Sequence, residues 1–327
     1  MIGKWIVVVV VAWACVGVRA KCPSSSDISP CTCREVMPGR TMECSSVTSS
    51  SQLLKTFSAN MPDTEFQFFQ IVKLSGKCPL EKIPANVFGD TTFMFVWFGQ
   101  TDITSVDPEA FTGNEGSMLE LTIADATKLT SFPFESMGSL TSLYKLELTH
   151  TLIDTVTHIG AAPNLTQVTV ANSKVMTVEK DALAALPRLS RLDLHNNPIT
   201  SLPDGSLAAT TSEPWVVYLD GCDISDISSA AFQGSLPAGV FLNANKMTAI
   251  PEATFKPLLE HMKTSEDAGS LAHGIDFTNN PLECDCGVQW VAQDATLLPY
   301  LRNAVCANGD VKGVNVADLP PDFFASC

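Results

Sequence analysis

Cysteines and one short polar cluster are the residues of this chain best suited to chemistry. Cys22, Cys31, Cys33 and Cys44 crowd one end, Cys284, Cys286, Cys306 and Cys327 the other, and Cys78 and Cys222 stand apart. A C-x-C at each end is a spacing used by metal ions as well as by disulfides. In an oxidising compartment disulfides are the expected product, and spacing leaves three connectivities for each cluster of four. His150, His158, His195, His261 and His273 share no metal-ligand spacing, and no G-x-S-x-G, H-E-x-x-H or phosphate-binding loop is present. Arg191, Asp193 and His195 alternate along one stretch, which puts them on one face of a strand. That trio reads as a solvated charge cluster rather than a catalytic site. No catalytic residue, cofactor or metal is expected.

The first 20 residues have the form of a secretory signal peptide. Lys4 supplies the positive region, residues 6–18 the apolar run, and Val18-Arg19-Ala20 the cleavage site. The run is shorter than the ~20 residues of a membrane span, and no lipid-anchor tail follows. The expected product is exported and soluble, without membrane insertion. The full chain has 20 basic and 35 acidic side chains. Removing Lys4 and Arg19 leaves 18 against 35, a net charge of −17. So acidic a surface does not seek nucleic acid; charge, where it matters, favours a basic partner.

The elements that position these residues follow from a repeat. The pattern L-x-x-L-x-L-x-x-N-x-L, or an apolar variant, recurs nine times between residues 69 and 282, most clearly as LSRLDLHNNPI from Leu189. Its fourth position falls at Val72, Val96, Leu121, Leu146, Val168, Leu192, Val217, Val240 and Ile275. Steps of 22 to 25 residues, with a single step of 35 at the end, are the period of a leucine-rich-repeat solenoid. The expected fold is an α/β solenoid: an arc of about nine repeats with a concave parallel β-sheet and disulfide-tied caps at both ends. Residues 1–20 are the signal peptide, 21–68 the N-terminal cysteine-rich cap and lead-in, 69–282 the repeats, and 283–327 the C-terminal cap. Such caps cover the open apolar edges of a solenoid.

Alternation sends the fourth and sixth pattern residues inward and their neighbours out. The outward set includes Ile71 and Lys73 in the first repeat, Phe95 and Trp97 in the second, Arg191, Asp193 and His195 in the sixth, Val216 and Tyr218 in the seventh, and Phe241 in the eighth. Exposed aromatics on a rigid sheet have the character of interface anchors. The candidate partner-binding residues are therefore Tyr218, Phe241, Val216, Trp97, Phe95 and His195. Cys222 takes the position held by Asn197, Asn245 and Asn280 in other repeats, and Cys78 nearly so. Six strands apart at ~4.8 Å each, they lie roughly 29 Å from one another, beyond the ~7 Å reach of a disulfide. Two buried free thiols are expected. Asn164 opens the N-glycosylation sequon Asn164-Leu165-Thr166. The long last step places an extra helix or loop near residues 258–274.

CDCGVQW (284–290) after NNPLE, and the looser PCTC (30–33) with Cys44 beyond it, resemble the flanking caps of extracellular leucine-rich-repeat proteins. That resemblance implies pairing first with third and second with fourth: Cys22–Cys33 and Cys31–Cys44, then Cys284–Cys306 and Cys286–Cys327. The opening KCPSSSDISPCTCREVMPG (21–39), with its single arc of irregular repeats, is also similar to the secreted non-catalytic subunits of shrimp luciferases. This implies an accessory chain that supports a catalytic partner and does not oxidise the substrate.

The function expected from the sequence is a secreted, non-catalytic binding scaffold or accessory subunit using its concave face. The partner would be a protein, either a secreted catalytic subunit or a cell-surface receptor. The alternative within the same class is a pattern-recognition or receptor/matrix-ligand protein. The alternative of another class is an enzyme with its site across the concave face near His195.

Overall fold

The structure is a computed structural model that describes residues 21–36, 39–58, 64–73, 76–265 and 273–327. The signal peptide assigned to residues 1–20, the outward position Ser75 and part of the expected insertion (266–272) lie outside these.

Twelve strands form one sheet in chain order. β1 (Thr32–Val36) and β2 (Gly39–Glu43) make an antiparallel hairpin in the N-terminal cap. Nine repeat strands follow: β3 (Glu65–Val72), β4 (Thr92–Gly99), β5 (Glu120–Ala124), β6 (Lys145–Thr149), β7 (Gln167–Ala171), β8 (Arg191–Asp193), β9 (Val216–Tyr218), β10 (Gly239–Phe241) and β11 (Gly274–Asp276). β12 (Leu301–Arg302) adds a final strand from the C-terminal cap. Every pair after the hairpin is parallel. This is a leucine-rich-repeat arc, and both caps continue its sheet.

From the second repeat onward the register follows the pattern. Val96, Leu121, Leu146, Val168, Leu192, Val217, Val240 and Ile275 are successive cross-strand partners. All are buried in the coil. The first repeat differs. Phe69, not Val72, lies opposite Val96. The offset of three residues is odd, so it exchanges the two faces. Ile71 is fully buried, while Phe68, Gln70 and Val72 take the outward positions. The cause is the segment EFQFFQIV, which is apolar on both parities and so specifies its register weakly.

Each coil turns at a residue with left-handed backbone. Gln100, Asp125, His150, Asn172, Asn196, Gly221, Ala244 and Asn279 all have φ between +51° and +64°. Most are types that tolerate this region; Ala244 is not. The next residue is the inward polar position, except after Asp125, where it is the buried Ala126. Asn197 donates to the carbonyls of Val170 and Leu194 and accepts from the N–H of Ser173 and Val175. Asn245 and Asn280 work the same way. The Thr151 hydroxyl meets Ser173 and accepts from the Ile153 N–H, and the buried Thr101 hydroxyl has no partner among the described residues. The shorter side chains leave the early and middle coils less well tied.

Helix α1 (Ser50–Phe57) closes the N-terminal end. Its first turn is capped by the Ser49 hydroxyl, which accepts from the Gln52 N–H, and it buries Leu53 and Phe57. Phe57 sits edge-on to Phe69, Phe88 and Phe93 at 5.3–5.9 Å. Helix α2 (Glu252–Thr264) begins before the expected insertion and buries Phe255, Leu258, Leu259 and Met262. The disulfides join Cys22 to Cys33, Cys31 to Cys44, Cys284 to Cys306 and Cys286 to Cys327.

Candidate partner-binding face

Strand alternation and the observed register lay the outward residues in rows across the concave sheet. One row runs Thr41, Phe68, Phe95, Glu120, Lys145, Gln167, Arg191, Val216 and Gly239. The next runs Glu43, Gln70, Trp97, Thr122, Glu147, Thr169, Asp193, Tyr218, Phe241, Asp276 and Arg302.

In the C-terminal half these rows form a stacked column. Tyr218 and Phe241 lie face to face, centroids 4.7 Å apart and planes within 5°. The Arg191 guanidinium covers Tyr218 at 3.9 Å from the ring centroid. Asp193 fixes that arrangement: its carboxylate accepts from Arg191 at 2.7 Å and from His195 Nδ1 at 2.6 Å. Only 6% of the Asp193 side chain is exposed, against 40% for Arg191 and 29% for His195. The trio is thus a buried carboxylate under two covering side chains, not the solvated cluster expected. Burial raises the Asp193 carboxyl, but the hydrogen bonds from His195 and Arg191 outweigh it and hold it below the usual carboxylate range. His195 also meets Asn172, whose Nδ2 is 3.0 Å from Nε2. Asp220 lies half-buried nearby, and burial pushes its carboxyl above the ordinary value.

The N-terminal half carries a second aromatic group. Phe68 stacks on Phe95 at 5.0 Å, and Trp97 beside them is 44% exposed. Glu120 borders this group. It accepts from the Tyr144 hydroxyl and faces Lys145 Nζ at 3.9 Å. Burial first, and then the bond to Glu120, push the Tyr144 phenol up to about 12. Phe68 was not among the sequence candidates, because the first-repeat register hid its outward direction. Neither was Arg191; the alternation places it on this face but does not show its ring contact.

The structure brings Val216, Tyr218, Phe241 and His195 together in one half and Phe95 with Trp97 in the other. Cys78 and Cys222 are buried and unbonded. Cys78 Sγ donates to the Val47 carbonyl and Cys222 Sγ to that of Leu194. Burial raises both thiols, Cys222 to about 11. Asn164 is half-buried, with Nδ2 donating to the Thr141 carbonyl and Oδ1 accepting from Arg188. Among the described residues no group of three or more His, Cys, Asp or Glu is placed to hold a metal ion. No helix among them is long and apolar enough to cross a membrane.

Known proteins carry the same repeat. The Oplophorus-luciferin 2-monooxygenase non-catalytic subunit of Oplophorus gracilirostris is 27% identical over 342 aligned positions, covering 94% of this chain and 88% of that protein. Asporin of Bos taurus is 24% identical over 195 positions, 60% of this chain and 42% of asporin. The chain is a leucine-rich-repeat protein. Leucine-rich repeats and immunoglobulin-like domains protein 3 of Homo sapiens matches this leucine-rich-repeat chain over 46% of its length, at 24% identity, but the match spans only 14% of the human protein. A chain of the octameric complex of Latrophilin 3, Unc5D and FLRT2 superposes with TM-score 0.50 at 17% identity, over 75% of this chain and 80% of that one. A chain of the TLR13–ssRNA13 complex superposes with TM-score 0.53 at 14% identity, over 73% and 31%. These two likenesses are of fold alone. No protein-family model matches the chain. A leucine-rich-repeat protein of this kind offers a protein-interaction scaffold.

Proposed function

We propose that this leucine-rich-repeat protein is a secreted, non-catalytic scaffold that holds a protein partner on its concave β-face, as an accessory subunit to a secreted catalytic chain. The observation that carries this reading is the column of Arg191, Tyr218 and Phe241. Two stacked rings and a guanidinium, pinned from below by a buried carboxylate, are half-exposed on a rigid sheet. Rigid aromatic and arginine side chains are the residues that anchor interfaces. Val216 and His195 border the column, and Phe95 with Trp97 extends the surface toward the other cap. Similarity to a non-catalytic luciferase subunit supports the accessory role. Four disulfides and the leader motif support export, and the Asn164 sequon adds a candidate glycan at the sheet's edge.

The test is capture of partners from the native secretion by the mature protein, followed by mass spectrometry. One stoichiometric catalytic protein is expected. Tyr218→Ala and Phe241→Ala should each weaken its capture by about 30-fold, the effect of a hot-spot residue, with unchanged melting temperature. Capture of glycans or a cell-surface receptor instead would move the protein to the pattern-recognition or receptor-ligand class. Capture unaffected by either substitution would remove the column from the interface.

A further inference from the structure

We infer that the N-terminal half of the concave face docks a basic side chain of a protein partner, its aliphatic stem on Trp97 and its charge toward Glu120 and Glu43. This rests on the concave-face reading and names the chemistry of the partner there.

A groove of about 180 Å³ opens at this place, lined by Phe68, Gln70, Phe95, Trp97, Glu120 and Thr122. It is wide enough for one long side chain. Its aromatic wall is preformed, because Phe68 and Phe95 are already stacked. Trp97 lies along the sheet over Gly99, where a Cβ would stand 3.1 Å from the indole nitrogen. The other two tryptophans among the described residues donate their indole N–H to protein carbonyls, Trp215 to Ser235 and Trp290 to Ile250. Trp97 donates to no protein group among the described residues, and 44% of it is exposed to a ligand.

The surrounding charge selects the ligand. The outward positions carry Glu43, Glu120, Glu147, Asp193, Asp220 and Asp276 against Lys145, Arg191 and Arg302. Lys145 is engaged by Glu147 at 2.8 Å and Arg191 by Asp193 at 2.7 Å. Glu43 accepts hydrogen bonds from Ser45 and Gln70 but forms no ion pair among the described residues. Glu120 is diagonal to Trp97 on the next strand, about 8 Å away, and Glu43 lies two strands off, about 10 Å away, each within about a Debye length. A purely apolar side chain would bury Glu120 with only the Tyr144 hydroxyl and Lys145, at 3.9 Å and shared with Glu147, to offset it, and an acidic one would meet like charge. A lysine or arginine satisfies both requirements. Its stem covers apolar surface, its cation faces an aromatic ring, and its charge offsets the carboxylates.

The test is fluorescence anisotropy of the mature protein with two labelled decapeptides, one alternating arginine and leucine, the other glutamate and leucine. The arginine peptide should bind and the glutamate peptide should not. Trp97→Ala should weaken binding by about 10-fold, and Glu43→Gln and Glu120→Gln by about 3-fold each. Trp97→Phe, which keeps a ring, should recover most of the loss. Binding should also fall as salt rises from about 50 to about 500 mM. No binding of the arginine peptide, equal binding of the glutamate peptide, or binding unchanged by Trp97→Ala would each overturn the inference. If these fail while Tyr218→Ala and Phe241→Ala still weaken capture of the native partner, the scaffold reading stands without this docking site.

Discussion

Asp193 and Arg191 are two residues apart on one strand and on one face of it, yet the acid is buried and the base half-exposed above it, joined at 2.7 Å. The acid is the foundation of the column and the arginine its surface. Asp193→Asn should therefore destabilise the fold by about 2 kcal/mol at pH 7, the scale of a hydrogen bond to a charged group. The Asp193 carboxyl is held below its usual value, so its contribution is complete above the ordinary carboxylate pKa and is lost as pH falls through the lowered folded-state value. Denaturant unfolding of both proteins at pH 7 and about pH 2.5 checks this. The gap between them should narrow in acid, and a gap that stays constant or widens contradicts the assignment.

Cys78 and Cys222 should be inert in the native protein. Both thiols are buried and both are raised, Cys222 to about 11, so little thiolate exists at pH 8. In protein produced from Lys21 onward, a chromogenic disulfide reagent should find neither thiol in the folded state and both after denaturation. Rapid labelling under native conditions would show that one of these coils opens.

Ala244 occupies a left-handed turn with φ +55°, where equivalent positions use Asn172, Asn196 and Asn279. It is exposed, so a larger side chain meets no core. Ala244→Asn should stabilise by about 0.5–1 kcal/mol through relief of backbone strain. A melting temperature that fails to rise would mean the turn is not strained.

The caps should differ in what their bridges contribute. Cys286–Cys327 spans 41 residues and Cys22–Cys33 spans 11. Chain-entropy arguments give about 4 and about 3 kcal/mol for their respective removal. Paired serine variants measured by denaturant unfolding should fall in that order. The reverse order would locate the stabilisation in the native caps rather than in the unfolded chain.

The repeat was legible in the sequence wherever polar residues alternate with apolar ones. KLELT and QVTVA can be laid on the sheet in only one way. EFQFFQIV cannot, because consecutive Phe68 and Phe69 satisfy either parity. Only tertiary pairing with β4 decides between them, and the outward direction of Phe68 was lost with the register. Alternation also gives the face of a side chain but not its depth. Asp193 was correctly assigned outward, but its burial depends on how Arg191 and His195 fold over it. The left-handed turns fall on a column of Asn, Asp, His, Gln and Gly that the repeat pattern did not single out. Ala244 breaks that column.

The sheet is hydrogen-bonded without interruption from Thr32 to Arg302, and its two terminal stretches are the ones that carry covalent bonds. A one-dimensional stack unzips most readily from its ends. Here Cys33 in β1 and Cys306 just beyond β12 are clamped, so fraying is blocked where it would begin. Inward, the Thr101 hydroxyl has no partner among the described residues, but β5, β6 and β7 pair over five residues where β8, β9 and β10 pair over three. The Cys284–Cys306 bridge therefore reinforces the sheet where its ladder is shortest, at the two-residue pairing of β11 with β12.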